Sequence, residues 1–362
     1  MSPRKTAKPL GKIAKPKFNG PELNLHGDIY TRLCALNWYK LHAERIAASR
    51  KLLRFRFFRG DCHVHSNYSD GRSSISQIKE AAEAAGLDFV FVTDHGTIDQ
   101  KYECRKFRRI WWGQEPGDGP HHLGILGTEK TFRPTGDFLK DFRSARTSPG
   151  ALTFVPHPCG WFPTTRYTAE QINLLKKLAH PFHMEIVNGA NQFFDFWDIT
   201  DAQSVQLWDR LLTKGKIVYA LGNSDAHMVH GIGSVWNGVL SERCNKQAIL
   251  SSIRQGHCFV SDGPLINLTA SRAEMGQTIR PRRGSTITFQ VAAADSAGIY
   301  QVRLIKNGQI VKRVAGRERR LVRIIHRERF VGRQFYLRAE ISALDSRRAF
   351  SNPIFVANRA AR

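Results

Sequence analysis

Cysteine is sparse in this chain and never paired. Six residues (Cys34, Cys62, Cys104, Cys159, Cys244, Cys258) are scattered over 362 positions with no CxxC. That spacing argues against a disulfide framework and suits free thiols in a reducing compartment. No run of 18 apolar residues occurs, which excludes a membrane-spanning helix. The basic start MSPRKTAKPLGKIAKPKFNG leads into no continuous apolar stretch, so no secretory signal is expected and a cytoplasmic location is. No GxGxxG follows a strand-like run, so redox chemistry on a dinucleotide has no support. Acid is also scarce: 31 Asp and Glu stand against 55 Lys and Arg.

That shortage of acid is uneven. Residues 1–60 carry +11 and residues 271–362 carry +14, while 61–270 are near neutral at −1. Basic flanks favour contact with an acidic polymer or surface, but they do not define the chemistry. The Arg-rich stretch at 317–333 has little aromatic interleaving beyond Phe330, so sequence-specific nucleic-acid reading is not indicated. With 22 Phe and 7 Trp, the chain has ample material for a folded core.

The pattern along the chain predicts four parts: a basic disordered tail over 1–20, a helical and strand extension over 21–58, a barrel over 59–263 and an all-β region over 264–362. Ile29, Leu33, Leu36, Trp38 and Leu41 have mostly helical spacing. Ser74 and Gln77 have capping-box spacing, and Gly86 stops the helix they open. Apolar runs then alternate with helical stretches: LDFVFVTDH, HLGILGTE, LTFVPHP, MEIVNG and KIVYALGNSDAH. Strands alternating with helices predict an α/β chain, a distorted (β/α)7 TIM-like barrel, followed by a small all-β sandwich domain. In the latter, Asn307-Gly308 between apolar runs marks a hairpin.

The central runs end in residues that can hold a metal. His63 and His65 lie two apart, so on a strand both imidazoles face one side. Asp70 follows them, Asp94 and His95 end VFVTDH, Glu129 ends ILGTE, His157 ends TFVPHP, and Asp225 and His227 end ALGNSDAH. Parallel strands deliver their C-terminal ends to one face, so imidazoles and carboxylates converge there in sites suited to zinc, manganese or iron. An HxH or a TDH alone carries little weight; eight such residues besides Asp94, at strand ends in one segment, carry much more.

At HVHSNYSDG, VTDHGTI, LGTEKT, the PHP at 156–158 and GNSDAH, the sequence resembles the polymerase and histidinol phosphatase (PHP) family of metal-dependent hydrolases. GHCFVSDGPL and the terminal SNPIFV make it similar to the carbaryl-hydrolase-like branch. The resemblance implies two or three divalent ions in adjoining positions. His63, His65, Glu129 and Asp225 would hold the first, and Glu129 would bridge to a second with His157. Asp70, His95 and His227 would hold the third. Glu185, Asn188 or His183 is a candidate for a further ligand, or else a structural anchor, and Cys159 is a ligand or a plain loop thiol.

Two such cations lower the pKa of a bridging water, and the hydroxide attacks phosphorus or a carbonyl carbon. Asp225 or His227 would move the proton, and Asp94 would orient a ligand histidine. Arg72, Lys130, Arg133 and Arg166 are candidate clamps for a substrate phosphate. Trp161 and Phe162 are candidates to wall the pocket, and His121 and His122 are expected to face solvent. The reading is thus a hydrolase of small phosphate esters, with carboxylester, carbamate or amide cleavage as the alternative on the same site. A basic surface-binding protein with an inactive barrel would have lost ligands; all eight are present. The all-β region fits a lid, an oligomer contact or a binding module.

Overall fold

A computed structural model describes residues 29–117, 121–160, 166–191 and 199–358. The expected basic tail and the pocket-wall pair Trp161 and Phe162 lie outside them. The first element is α1 (Ile29–Leu53), whose buried stripe is Tyr39, His42, Ile46, Ser49 and Leu53, recurring every three or four residues. Leu41, expected on the apolar face, is exposed.

Strands and helices then alternate: β1 (Phe58–Val64), α2 (Ile75–Ala84), β2 (Phe89–Val92), α3 (Lys101–Cys104), β3 (Ile110–Gln114), β4 (Gly124–Leu126), α4 (Phe138–Arg146) and β5 (Leu152–Val155). They continue with α5 (Ala169–Leu174), β6 (Phe182–Asn188), α6 (Ile199–Thr213), β7 (Val218–Asn223), β8 (Trp236–Val239), α7 (Lys246–Arg254) and β9 (Cys258–Ser261). The capping box that opens α2 forms as its spacing predicts: Ser74 accepts from the Gln77 amide, and the Gln77 side chain accepts from Ser74.

These strands lie in the order β9-β8-β1-β2-β3-β4-β5-β6-β7. The pairs β1–β2, β2–β3, β5–β6 and β6–β7 are parallel. The expected α/β barrel forms as a curled, mixed sheet, and its distortion is in strand direction. β4 runs antiparallel to both β3 and β5, and β8 and β9 are antiparallel as well. The reason at β4 is local. Parallel neighbours need a crossover of a dozen residues or more, and only residues 115–123 separate β3 from β4.

The sheet curls until its two ends meet. Val64 bridges Ala226 just beyond β7, and the His65 amide donates to the Ala226 carbonyl. Asparagines stitch the seam: Asn223 accepts from the Cys62 amide, and Asn237 accepts from Gly222 while donating back to its carbonyl. Side-chain amides, with both donors and an acceptor, replace the missing ladder bonds there.

Beyond β9 every described element is a strand: β10 (Leu265–Ala270), β11 (Ala273–Glu274), β12 (Thr278–Ile279), β13 (Thr286–Ala294), β14 (Ile299–Lys306), β15 (Gln309–Ala315), β16 (Leu321–Arg329), β17 (Phe335–Ala343), β18 (Arg348–Ser351) and β19 (Ile354–Val356). The Asn307-Gly308 turn joins β14 to β15, with both residues at positive φ as such a hairpin requires. A four-stranded sheet β11-β10-β13-β16 shares one apolar core with β14 and β17, around Leu268, Phe289, Leu304 and Leu337. β18 pairs with β9, so the barrel sheet runs without a break into the all-β region.

Buried charges reinforce that junction. Arg338 is 1% exposed and donates to Asp209 on α6 and to Glu340, while stacking its guanidinium over Trp208. Arg45 ties α1 to Asp295 and Asp345. No described helix is long and apolar enough to cross a membrane.

Candidate metal centre

His63, on β1, and His65, just after it, point to the same side, as a two-residue spacing on a strand dictates. Their Nε2 atoms lie 3.1 Å apart. Glu115 Oε2 is 3.1 Å from His63 Nε2 and 3.3 Å from His65 Nε2; Asp225 Oδ1 is 3.3 Å and 3.1 Å from the same two atoms. All four residues are buried. Four donors at the corners of a tetrahedron around zinc stand about 3.3 Å apart, so the spacing fits a cation. Two imidazole nitrogens and two carboxylates crowded together also need a positive charge between them.

Glu115 belongs to a second cluster. Its Oε1 lies 2.9 Å from His157 Nε2 and 3.2 Å from His122 Nδ1. A third cluster is more open: Asp70 Oδ2 is 3.2 Å from His227 Nε2 and 3.6 Å from His95 Nε2, and Asp70 Oδ1 is 3.5 Å from His65 Nδ1. Glu115 joins the first two groups, and His65 joins the first and third.

The expected bridging ligand, Glu129, is not in this assembly. It is 52% exposed and pairs with Arg105 and Lys246. The strand-end rule fails there because β4 is reversed: its C-terminal end points away from the clusters, and its N-terminal end, preceded by His122, points at them. Glu115 follows β3, and the apolar run IWWGQE carried the same strand-end signal as the other motifs. His122, expected to face solvent, is buried, with its backbone carbonyl accepting from Tyr167.

The surrounding residues hold the ligands in place. Glu185 accepts four hydrogen bonds: from His63 Nδ1 (2.9 Å), Asn223 Nδ2 (2.7 Å), the His157 amide (2.9 Å) and Asn188 Nδ2 (3.1 Å). Its lone pairs are all engaged, so it is an anchor that turns His63 Nε2 toward the cluster. Asn188 also donates to Asp225 Oδ2, leaving Oδ1 to face the histidines. His183 is remote, bonded to the Ile253 carbonyl, and Cys159 is a buried thiol that desolvation pushes up.

Among the described contacts the Asp94 side chain meets serines, not a histidine. It accepts from the Ser66 amide and hydroxyl and from the Ser69 hydroxyl, pinning the loop that carries Asp70. Gly71 is required in that loop, because a Cβ there would come within 2.4 Å of the His65 carbonyl oxygen. The side chains of Arg72, Lys130 and Arg133 are exposed and Arg166 is half-buried; no described contact ties them to the clusters.

Backbone and charge both show local tension. His157 (φ 24°) and Asp225 (φ 50°) occupy the left-handed region without being glycine. Burial alone would neutralise these groups, but they offset one another. Burial draws the His65 imidazole down, yet its contacts with Asp225 and Glu115 win and push it up to about 9. Against the same desolvation, His63 and His122 hold the Glu115 carboxyl well below the usual range, and His63 and His65 do so for Asp225.

The family model described as PHP domain matches residues 61–147, and that described as PHP-associated matches 218–258. The part of the chain that bears the clusters is thus similar to a PHP domain. Its matched segments contain every cluster residue except His157, which lies between them. No curated protein matches the chain. Among solved structures it is similar to a two-domain protein from Bacteroides vulgatus containing a predicted PHP-like metal-dependent phosphoesterase. Identity there is 16%, covering 83% of this chain and 94% of that one, with a TM-score of 0.49. It is also similar to an amidohydrolase from Chromobacterium violaceum with bound sulfate and no metal, at 14% identity, covering 46% and 87% of the two chains, with a TM-score of 0.34.

Proposed function

We propose that this protein is a metal-dependent hydrolase of small phosphate esters. The observation that carries the reading is the set of three adjoining His and carboxylate clusters joined through Glu115 and His65. His63, His65, Glu115 and Asp225 would hold one divalent ion, Glu115, His122 and His157 a second, and Asp70, His95 and His227 a third. Bound there, zinc, manganese or iron would supply Lewis acidity, a lowered pKa for water and positive charge to match a phosphate's anionic oxygens.

The chain's own part is placement. Glu185 locks His63 in the tautomer that leaves Nε2 free, and Asn188 turns Asp225. His227 keeps Nδ1 on the Asp225 carbonyl, so that Nε2 faces Asp70. Asp70, His95 and His227 are the partly exposed members of the set, which makes their side the approach for substrate. Asp225 and His227 are the candidates to accept and pass the proton. The three-ion capacity favours a phosphate ester, whose charge exceeds that of a carboxylic ester or carbamate.

The test joins elemental analysis to turnover of 4-nitrophenyl phosphate, its bis-ester and 4-nitrophenyl acetate, for the native chain and Glu115→Gln. We expect two or three ions per chain and phosphate-ester turnover that disappears in the variant. Turnover of acetate alone would replace the substrate class. A chain that neither binds nor responds to zinc, manganese or iron would overturn the enzyme reading.

A further inference from the structure

A second concave site lies at the other end of the barrel, where β6 and β7 begin. It is an open groove of about 1000 Å³ between the barrel and the all-β region. Arg254 and His257 line it from the barrel, and Arg272 and Arg280 from the all-β region; no carboxylate is among its lining residues. Glu274, exposed and next in sequence to the lining residue Ala273, acts electrostatically on His257. Pro181, Ile279 and Pro281 supply exposed or partly exposed apolar surface in the lining.

Its walls are fixed with respect to each other. β9 pairs with β18 across the junction, and the Tyr219 hydroxyl donates to the Gly276 carbonyl at 3.1 Å. Gly276 sits so close that a Cβ would come within 2.0 Å of the Gln255 carbonyl oxygen. Arg254 gives its guanidinium to the Gly150 and Ala151 carbonyls, neutral acceptors that leave its charge in place. In this Arg254 differs from Arg338 and Arg45, whose guanidiniums meet carboxylates.

We propose that this groove binds a small organic polyanion, a phosphorylated molecule of nucleotide size, at a site separate from the metal clusters. Guanidinium forks match phosphate oxygens in geometry as well as charge. Domain junctions are where such pre-formed pockets concentrate, and the apolar strip suits the organic portion. A nucleic-acid strand fits less well: Tyr219, the aromatic residue in the lining, is buried and offers no platform for successive bases.

The test is calorimetric titration of the full-length chain with ATP as probe, at low salt and without added metal. The native chain, Arg272→Glu/Arg280→Glu and Glu115→Gln are compared. We expect binding to weaken at least tenfold in the double variant and to be retained in Glu115→Gln. If charge reversal lowers the melting temperature, Arg272→Gln/Arg280→Gln provides the same comparison at near-native size. Equal affinity in the folded double variant, loss in Glu115→Gln alone, or no binding to the native chain would overturn the proposal. So would tighter binding of a single-stranded DNA oligomer than of ATP, which would assign the groove to a polymer.

Discussion

The candidate metal centre and the domain junction both bury charge, but they balance it in opposite ways. At the junction, Arg338 meets Asp209 and Glu340, and Glu340 also meets Arg303, so cations and anions match within the chain. At the centre, Glu115 and Asp225 face imidazoles that must be protonated to balance them. One network is closed and structural; the other leaves a place for a cation from outside. A buried ionic cluster therefore points to function when its charge balance depends on a titratable or exogenous partner.

The largest expected effect comes from Glu115→Gln, which removes the carboxylate shared by two clusters. Metal affinity should fall more than about 100-fold, beyond the loss typical of an outer partner, as read by competition with a chelating dye. Retained stoichiometry would break the assignment of Glu115 as the shared ligand. At the junction the loss should be in folding instead: Arg338→Ala leaves Asp209 without its cation and Glu340 with Arg303 alone, and should cost about 3 kcal/mol in denaturant unfolding. The variant's metal affinity, measured while folded, tells whether the two regions are independent.

Next in size is Asn188→Ala, which frees Asp225 Oδ2 and should lower metal affinity about tenfold with little change in melting temperature. pH should separate the regions further. The His65 pKa is raised in the folded chain, so in metal-free protein its pairing stabilises fully below about pH 6.5 and is lost as pH rises through about 9. Unfolding of the metal-free chain at pH 6 and 9.5 should show that loss, and metal added near neutral pH should release protons. The Arg338 clamp should stay constant over this window, because a guanidinium remains charged. The smallest effect belongs to Glu129→Gln: an exposed ion pair is worth less than about 1 kcal/mol, and turnover should stay within about twofold. A collapse of turnover there would restore Glu129 to the centre.

Much of the architecture was legible before any coordinates. Capping at Ser74, the hairpin at Asn307 and the same-side pair His63 and His65 depend on local chemistry or on the two-residue period of a strand. So does the placement of metal-type side chains at the C-terminal ends of the parallel strands β2, β5 and β7, in His95, His157 and Asp225. By itself, then, the sequence determined which segments become strands and helices and most of the donor set.

Tertiary structure decided strand direction, and with it which carboxylate joins the first two clusters. An apolar run reads alike in either direction, and the direction of β4 depends on its neighbours and on the short connection from β3. That reversal sends Glu129 to the far end and brings His122 in beside Glu115. Whether a polar residue such as Glu185 coordinates or anchors was likewise beyond composition, because it depends on how many donors the folded chain brings to its oxygens. Local periodicity specifies the elements; only their packing specifies which ends meet.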